Sequence, residues 1–414
     1  MAWNNQSVVR EFILQGLSSS WELQIFYFLF FSAVYAATVL GNLLIVLTIM
    51  SEPRLHTPMY FLLGNLSFID MSLASFATPK MIADFLSEHK AISFEGCITQ
   101  IFFLHLLGGV EIVLLISMSF DRYVAICKPL RYLTIMSHKT CIGLVALSWI
   151  VGIFHAMSQL AFTVNLPFCG PNKVDSFFCD LPLVIKLACV DTYILGVFMI
   201  STSGLIALVC FILLVISYTI ILVTVRQRSS GGSSKALSTC SAHFTVVTLF
   251  FGPCIFIYVW PFTNFPIDKV LSVFYTIFTP LLNPVIYTLR NKDVKNSMRK
   301  LSNRWKTGRL SSVIRSLSFT NIVVVMAIVL VIRVPPPSLL ADLKVSKVSV
   351  FLFLFSISSW TFSSSTSSLQ DLVFTLSPHS VSFLSPSLCL PLQSPASILL
   401  SLCLCLCLCL SSGL

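Results

Sequence analysis

The chain has 414 residues, of which 56% are hydrophobic and only 10% are charged, with a formal net charge of +10 and a mean hydropathy of +0.91. Soluble globular domains carry roughly 25% charged residues, so this composition excludes a soluble domain and predicts that the chain has a lipid bilayer as a partner. The positive charge is modest for this length, and we expect no nucleic-acid partner.

Residues 1–22 form a polar N-terminal segment that we expect to be extracellular. Arg10 and Glu11 interrupt it, and no short apolar core ends in a small-residue cleavage site, so it does not resemble a cleaved signal peptide. Asn5-Gln6-Ser7 is a glycosylation sequon. We therefore expect Asn5 to carry a glycan if this end of the chain is lumenal.

Seven windows with few or no charged residues follow. A membrane-spanning helix needs about 20 predominantly apolar residues, and each window is about that length or longer. The pattern predicts an all-α membrane protein, a seven-transmembrane helix bundle over residues 23–290. The windows are 23–51, 57–79, 96–120, 140–172, 192–225, 236–267 and 270–289.

The lysines and arginines between the windows predict the orientation of the bundle. With the N-terminus outside, the cytoplasmic segments carry 16 of these residues and the outside segments carry 6. Because positively charged loops stay in the cytoplasm, the sequence predicts an external N-terminus and an internal basic tail.

The basic segment 291–309 carries Val294, Met298, Leu301 and Trp305 at a spacing of about one helical turn. The spacing favours a short amphipathic helix on the inner membrane face, with a disordered basic tail as the alternative. Beyond it, residues 310–414 are rich in serine and leucine and of low complexity. We expect this extension to be disordered, with an additional span as the alternative.

Four cysteines fall in predicted external segments: Cys97, Cys169, Cys179 and Cys189. An external location is oxidising, and four cysteines allow three pairings. The sequence alone does not choose among them. The remaining cysteines show no spacing typical of a metal site.

Two acidic residues lie in the middle of predicted spans, Asp70 in the second and Glu111 in the third. Charged residues at bilayer depth are costly and therefore candidates for function. With Asn283 they could bind an intramembrane sodium ion or share a proton. A purely structural hydrogen-bond network is the alternative, and we expect no other cofactor.

Asp121-Arg122-Tyr123 ends the third span at the predicted cytoplasmic face. An ion pair between Asp121 and Arg122 would hold the arginine inward until a change of conformation releases it to a partner protein. Tyr218, at the inner end of the fifth span, carries a hydroxyl that could then bond the released arginine.

Asn283-Pro284 and Tyr287 lie in the seventh span. Proline removes a helix hydrogen bond and bends the helix, and a carbonyl left free in lipid needs a partner. We expect Asn283 to serve that carbonyl and Tyr287 to approach Arg122, so that the region acts as a switch.

Four segments form a recognisable set: Leu55 to Leu63, Met118 to Cys127, Lys235 to His243 and Pro280 to Tyr287. They resemble the signatures of olfactory (odorant) receptors, which are rhodopsin-like G-protein-coupled receptors, and Gly41-Asn42 and Trp149 fit the wider class. The match runs from about residue 1 to Arg309, with the segments in the expected order, and is nearest to the family-four group. Ser119-Phe120 replaces the family's usual Ala-Tyr, and the extension after Arg309 departs from the family pattern.

The resemblance implies disulfides between Cys97 and Cys179 and between Cys169 and Cys189. It implies that Asp70 and Glu111 form the family's ion site. It also implies an odorant ligand, a stimulatory G protein of the olfactory type that raises cyclic AMP, and a location in the plasma membrane of olfactory neuron cilia.

Odorants are small and mostly apolar, so they need an enclosed apolar pocket with few polar groups. Helical spacing places the candidate residues on facing sides of four spans, and these positions match the family's usual pocket. Packing within the bundle is the alternative for each one. His105 and Tyr258 are the preferred polar contacts. The candidates are Leu104, His105, Gly108, Gly109, Thr202, Ser203, Ile206, Phe251, Cys254, Ile255, Tyr258, Val273 and Thr276.

Three other interpretations remain open. A transporter usually has internal repeats and paired interrupted helices, which this sequence lacks. An enzyme would need a nucleophile with a base, or a set of metal ligands, beside Asp70 and Glu111; since neither is present, we expect no enzyme. A receptor inactivated by its extension is the third.

Overall fold

The structure is a computed structural model, and it describes residues 9–18, 20–164, 166–168, 172–228, 233–260 and 268–306. Asn5, Cys169 and the extension 310–414 lie outside these residues, and so do the side chains of Tyr287 and Arg290. The predictions for them therefore stay predictions.

Eight helices dominate the described residues. Two are interrupted by π-helical stretches, which have a wider turn than an α-helix. The helices are α1 (Trp21–Ser51), α2 (Pro58–Phe85), α3 (Phe94–Cys127), α4 (His138–Thr163), α5 (Tyr193–Met199, π-helical Ile200–Leu205, then Ile206–Arg228), α6 (Ser233–Val259), α7 (Asp268–Val273, π-helical Phe274–Phe278, then Thr279–Arg290) and α8 (Lys292–Lys306).

The helices α1 to α7 form a seven-helix membrane bundle, as predicted. Six of them are long and apolar enough to cross a membrane, and α6 adds the shorter apolar stretch His243–Val259. Two helices end before their windows do: α4 ends at Thr163 and α6 at Val259, whereas the windows run to residues 172 and 267. Absence of charge therefore does not distinguish the end of a span from the uncharged residues that follow it.

Helix α3 is the centre of the bundle. Of its most apolar 18-residue window, 78% is buried inside the protein, against 28% for α1. It packs against α2, α4, α5 and α6. We name the two ends of the helix bundle after the ends of α3: the disulfide end, at Cys97, and the Arg122 end.

The proline in α7 corrects one prediction. Pro284 cannot donate to the carbonyl four residues earlier, and that carbonyl, of Pro280, instead accepts from Asn42 Nδ2 of α1 at 2.9 Å. Asn283 does not serve it, because its amide donates to Asp70. The side chain that satisfies the bend in α7 thus comes from another helix.

Pro253 of α6 follows the same rule. It frees the carbonyl of Leu249, which accepts from Thr279 Oγ1 of α7 at 3.3 Å, so the partner again comes from a neighbouring helix, as expected where lipid offers no hydrogen bonds. In α2, the Phe76 carbonyl accepts from Gln100 Nε2 of α3 at 3.2 Å, although the carbonyl that Pro79 frees is that of Ser75.

A three-stranded sheet closes the disulfide end, which the all-α prediction did not include. Strand β1 (Glu11–Leu14) lies between β2 (Ala91–Ser93), antiparallel, and β3 (Lys173–Val174), parallel. Phe12 and Leu14 alternate with outward-facing residues and are buried. The N-terminal segment thereby joins two loops of the bundle.

The basic segment after α7 forms the helix α8, as the apolar spacing indicated. Val294 and Leu301 are buried, whereas Asp293 and Lys295, on either side of Val294, are exposed. Its apolar stripe faces the protein.

Candidate functional site

A cavity of about 80 Å³ lies among the helices, roughly two turns from Cys97 along α3. Its wall is mainly apolar and contains no Asp, Glu, Lys or Arg. Six helices contribute the lining residues, which are Leu73, Leu104, His105, Gly108, Gly109, Ile112, Val113, Val151, Phe154, His155, Thr202, Ser203, Ile206, Ala207, Phe250, Cys254, Tyr258 and Tyr275.

Most of the predicted ligand-contact residues lie at this wall. The π-helical stretch of α5 supplies two of them, and such stretches are frequent at functional sites. The predicted residues that line the cavity are Leu104, His105, Gly108, Gly109, Thr202, Ser203, Ile206, Cys254 and Tyr258.

Two predicted residues of α6 lie one position away from residues that line the cavity. Phe250 and Cys254 line the cavity, whereas Phe251 and Ile255 do not. One residue is a rotation of about 100° around a helix, and this rotation directs the Phe251 ring towards Phe211 of α5, 6.0 Å away between ring centroids.

Two predicted residues of α7 also do not line the cavity. A regular helix places Val273 and Thr276 on one face, but the π-helical stretch Phe274–Phe278 interrupts that spacing, and Tyr275 lines the cavity instead. The Thr276 hydroxyl donates within its own helix, to the Ser272 carbonyl at 2.6 Å.

Helix α4 contributes a wall that the sequence did not predict, formed by Val151, Phe154 and His155. A close helix crossing brings it there: a Cβ on Gly152 would lie 2.7 Å from the Leu106 carbonyl oxygen of α3. The sequence signal for this wall is a glycine three residues before the single histidine of the span.

The adjacent glycines of α3 have different roles, although we expected both to leave room for a ligand. A Cβ on Gly108 would meet nothing within 4 Å, whereas a Cβ on Gly109 would lie 3.1 Å from the Gly152 Cα. Gly108 therefore opens the cavity, and Gly109 allows α3 and α4 to approach.

His105 and Ser203 line the cavity, and within the part of the chain that the structure describes, His105 Nε2 and Ser203 Oγ are buried without a hydrogen-bond partner. The neighbouring hydroxyl of Thr202 donates to the Phe198 carbonyl at 2.8 Å and accepts from Gln159 at 2.7 Å. Since buried polar groups are normally paired, His105 and Ser203 stand out.

Tyr258, the second preferred polar contact, is already engaged. Its hydroxyl donates to Asp180 Oδ1 at 3.2 Å, and the Tyr275 hydroxyl donates to Asp180 Oδ2 at 3.1 Å. Asp180 belongs to the loop between α4 and α5. Burial raises the pKa of its carboxyl to about 6, and the two tyrosine hydrogen bonds oppose part of that rise.

The same loop is fixed to α3. Cys179 is disulfide-bonded to Cys97, with the Cα atoms 5.3 Å apart, and its backbone N–H donates to Gln100 Oε1 at 3.0 Å. Cys189 is also disulfide-bonded, and its expected partner Cys169 lies outside the described residues. The loop forms a lid held by α3, α6 and α7.

The intramembrane acids lie near each other beside the cavity, since Glu111 of α3 directly precedes the wall residues Ile112 and Val113. Asn283 Nδ2 donates to both carboxylate oxygens of Asp70, at 3.0 and 2.9 Å. Glu111 is fully buried, and its two oxygens and Asn283 Oδ1 have no partner among the described residues. Unpaired oxygens of this kind suit a hard cation, although the described residues hold no group of three His, Cys, Asp or Glu that could bind a metal.

At the Arg122 end, Arg122 forms an ion pair with Asp121, and the Tyr132 hydroxyl donates to the other Asp121 oxygen at 2.7 Å. Burial, followed by the charge of Asp121, raises the pKa of Tyr132. The Tyr218 hydroxyl contacts His243 Nδ1 of α6. Neither His243 nor Tyr132 was predicted from the sequence to belong to this cluster.

Tyr123, the third member of the Asp121-Arg122-Tyr123 motif, is mostly buried in α3. Pro284 lies in α7 as predicted. For Tyr287 the structure describes only the helix, so its approach to Arg122 stays a prediction.

An apolar cavity under a disulfide-bonded lid at one end, and a buried arginine cluster at the other, define a seven-helix membrane receptor. Residues 31–304 match the family described as "Olfactory receptor". Olfactory receptor 4K3 of Homo sapiens is 91% identical over 302 residues, which cover 73% of this chain and 96% of the relative. Olfactory receptor 4K14 of Homo sapiens is 69% identical over 301 residues, covering 72% and 97%.

The chain belongs to the olfactory receptor family. Members of this family are G-protein-coupled receptors and not enzymes. Membership of this family implies that the chain has odorant ligands and couples to G proteins in general.

Proposed function

We propose that the chain binds small, volatile, mostly apolar odorants in the cavity and activates a stimulatory, olfactory-type G protein that raises cyclic AMP. The observation that carries the ligand part is a mainly apolar cavity wall whose described residues include no Asp, Glu, Lys or Arg. Such sites are typical of apolar ligands oriented by a few polar contacts.

Coupling is proposed to occur by population shift. A ligand that packs between α3, α5 and α6 favours a form in which the Arg122 end of α6 moves outward. The Tyr218–His243 contact joins α5 to α6 at this end, and Asp121 holds Arg122. Rearrangement of these two contacts opens a groove for a helix of the G protein.

The orientation and location belong to the same proposal. The disulfide end and the glycosylation site Asn5 face outside, the Arg122 end faces the cytoplasm, and the receptor works in the plasma membrane of olfactory neuron cilia. The distribution of lysine and arginine, 16 against 6, supports this orientation.

A sodium ion is proposed to bind at Asp70, Glu111 and Asn283. The unpaired oxygens of Glu111 and Asn283 support an ion there, and a proton shared by the two acids is the alternative. Sodium chloride should raise the melting temperature of the purified chain more than choline chloride does, and Glu111→Gln should abolish that difference. Equal melting temperatures in the two salts would favour the shared proton.

The deciding experiment measures cyclic AMP in cells that express the chain with an olfactory G protein, against an odorant panel. We expect an odorant-dependent rise, present in a version stopped after Arg309. Arg122→Ala should abolish the rise while surface expression persists. Normal signalling by Arg122→Ala would refute the assigned role of the arginine cluster.

A difference between the full chain and the stopped version would show what residues 310–414 do. Equal cyclic AMP responses mean that the extension has no effect on signalling. A response confined to the stopped version means that the extension disables a sound receptor. No response from either, with receptor on the surface, would refute the proposed odorant range.

A further inference from the structure

Phe154 of α4 belongs both to the cavity wall and to the outer surface of the bundle. It lines the cavity, yet its side chain is 56% exposed. Ile150 and Met157, one turn away on either side, are exposed as well, but neither lines the cavity. Among the wall residues that the structure describes, Phe154 is the exposed one.

The outer surface of α4 at Phe154 faces lipid. The helix is long and apolar enough to cross a membrane over His138–Ala161. Phe154 lies seven residues before Ala161, which is about 10 Å along a helix, and the hydrocarbon core of a bilayer is about 30 Å thick. One aromatic side chain therefore separates the cavity from the acyl chains.

Helices α4 and α5 are loosely packed at this level. In their described parts, α4 packs against α3 and α2, and few of its residues approach α5. Gln159 Nε2 donates to Thr202 Oγ1 at 2.7 Å and joins the two helices on the disulfide side of Phe154. The space between Phe154 and the π-helical stretch of α5, which we call the α4–α5 cleft, leads to the cavity.

The disulfide end offers a more restricted route. The lid is fixed by the Cys97–Cys179 disulfide and by the two tyrosine hydrogen bonds to Asp180. Beneath it, Phe12 and Phe168 belong to a continuous core of buried apolar side chains. Opening a lid of this kind takes microseconds to seconds, whereas an exposed side chain changes rotamer in picoseconds to nanoseconds. Movement of one exposed ring is thus the faster event.

The bilayer also concentrates apolar ligands beside this ring. Transfer from water to an apolar phase is favoured about fourfold for each CH₂ group. A ligand with six such groups is therefore enriched in lipid by about three orders of magnitude. Most of the ligand near the receptor is then in the bilayer and not in the water above the lid.

We propose that apolar ligands enter the cavity from the bilayer through the α4–α5 cleft, and that the side chain of Phe154 is the gate. This inference rests on the proposed function, since it takes the cavity to be the ligand site. It adds the route by which the ligand arrives and the residue that controls the rate.

Cys254 can report entry without any odorant. It is a buried free cysteine of α6 that lines the cavity. The probe is methyl methanethiolsulfonate, a small uncharged reagent. The thiol sulfur attacks it to form a methyl disulfide, methanesulfinate leaves and the thiol proton passes to water.

The experiment follows modification of Cys254 over time by mass spectrometry, with the full chain in lipid nanodiscs. We expect methyl methanethiolsulfonate to modify Cys254. Its charged trimethylammonium-ethyl analogue, which does not enter hydrocarbon, should leave Cys254 unmodified. Modification by both reagents at one rate, or by neither, would overturn the proposal.

Variants of α4 assign the rate to the gate. Phe154→Ala should speed modification of Cys254 by roughly tenfold, because no ring has to leave its preferred rotamer, and the larger ring of Phe154→Trp should slow it. Ile150→Ala is the matched control, since it shortens an exposed side chain of the same helix away from the cavity. Equal rates in Phe154→Ala, Phe154→Trp and the wild type would refute the gate.

A lid variant tests the other route. Asp180→Ala removes the acceptor of both tyrosine hydrogen bonds and should leave the rate of Cys254 modification unchanged. Gln100→Leu, which loses the bond from the Cys179 N–H, answers the same question if Asp180→Ala does not fold. A larger acceleration in either lid variant than in Phe154→Ala would place entry at the lid and overturn the proposal.

The entry route and the receptor function fail separately. If odorants raise cyclic AMP but modification of Cys254 does not depend on Phe154, the cleft fails as a route and the receptor function stands. If modification depends on Phe154 but no odorant raises cyclic AMP, the route stands and the proposed signalling fails.

Discussion

Replacement of Asp180 by asparagine should change how the stability of the receptor depends on pH. The wild-type carboxyl has a pKa of about 6 in the folded protein, against the usual 3.8, because it is buried. Below pH 3.8 it is protonated in the folded and the unfolded chain alike, so it does not penalise folding there.

As the pH rises from 3.8 through 6, the unfolded chain releases this proton more readily than the folded chain does. The free energy of unfolding of the wild type therefore falls across that window and stays lower above it. A difference of about two pKa units corresponds to about 3 kcal/mol. Asparagine mimics the protonated acid, so Asp180→Asn should lack this fall.

The assay is the melting temperature of the purified wild type and Asp180→Asn between pH 4 and pH 7.5. The temperature of the variant minus that of the wild type should increase by roughly 5 °C across this range. Titration of other groups occurs in both proteins and cancels in the difference. Tyr275→Phe removes a hydrogen bond that lowers the pKa of Asp180, so its transition should move to higher pH. A difference that stays constant with pH would refute the reasoning.

Three further predictions follow from the packing and the hydrogen bonds. Gly152→Ala places a Cβ 2.7 Å from a backbone oxygen of α3 and should destabilise the fold by about 3 kcal/mol, whereas Gly143→Ala, which meets nothing within 4 Å, should be neutral in the same thermal assay. Asn42→Ala leaves the carbonyl freed by the bend of α7 unpaired and should cost about 1–3 kcal/mol; an unchanged melting temperature would contradict it. Tyr132→Phe removes a donor to Asp121 and should raise ligand-independent cyclic AMP, measured at equal surface expression; unchanged basal signalling would argue against a restraining role.

The apolar windows were sufficient to predict the bundle, because a span must be long and free of charge whatever its neighbours are. They did not locate the end of α4, since residues 164–172 are also uncharged. They also missed strand β1, which is only four residues long and is stabilised by partners far away in sequence.

The site was predicted best where the helices are regular. Leu104, His105 and Gly108 line the cavity as α-helical spacing indicated. Thr276 does not line the cavity, because a π-helical stretch of which the sequence carries no visible sign changes the spacing in α7. It also missed His155, because a helix crossing made by glycines can be recognised only when both helices are placed.

The sequence also did not identify the side chain that pairs with the Pro280 carbonyl, which Pro284 frees. Asn283 stands next to Pro284 in the chain and was the natural choice, yet the side chain that reaches the Pro280 carbonyl is Asn42. Proximity in sequence is a poor guide in a bundle, where an amide one helix away can be better aligned than the neighbouring residue.

The side chain of Gln100 in α3 connects α2 to the lid. Its nitrogen donates to the Phe76 carbonyl and its oxygen accepts from the Cys179 N–H. A glutamate at this position could accept but not donate, a lysine could donate but not accept, and a leucine could do neither. An amide of this length completes both bonds, so the chemical identity of this one side chain ties the lid to α2.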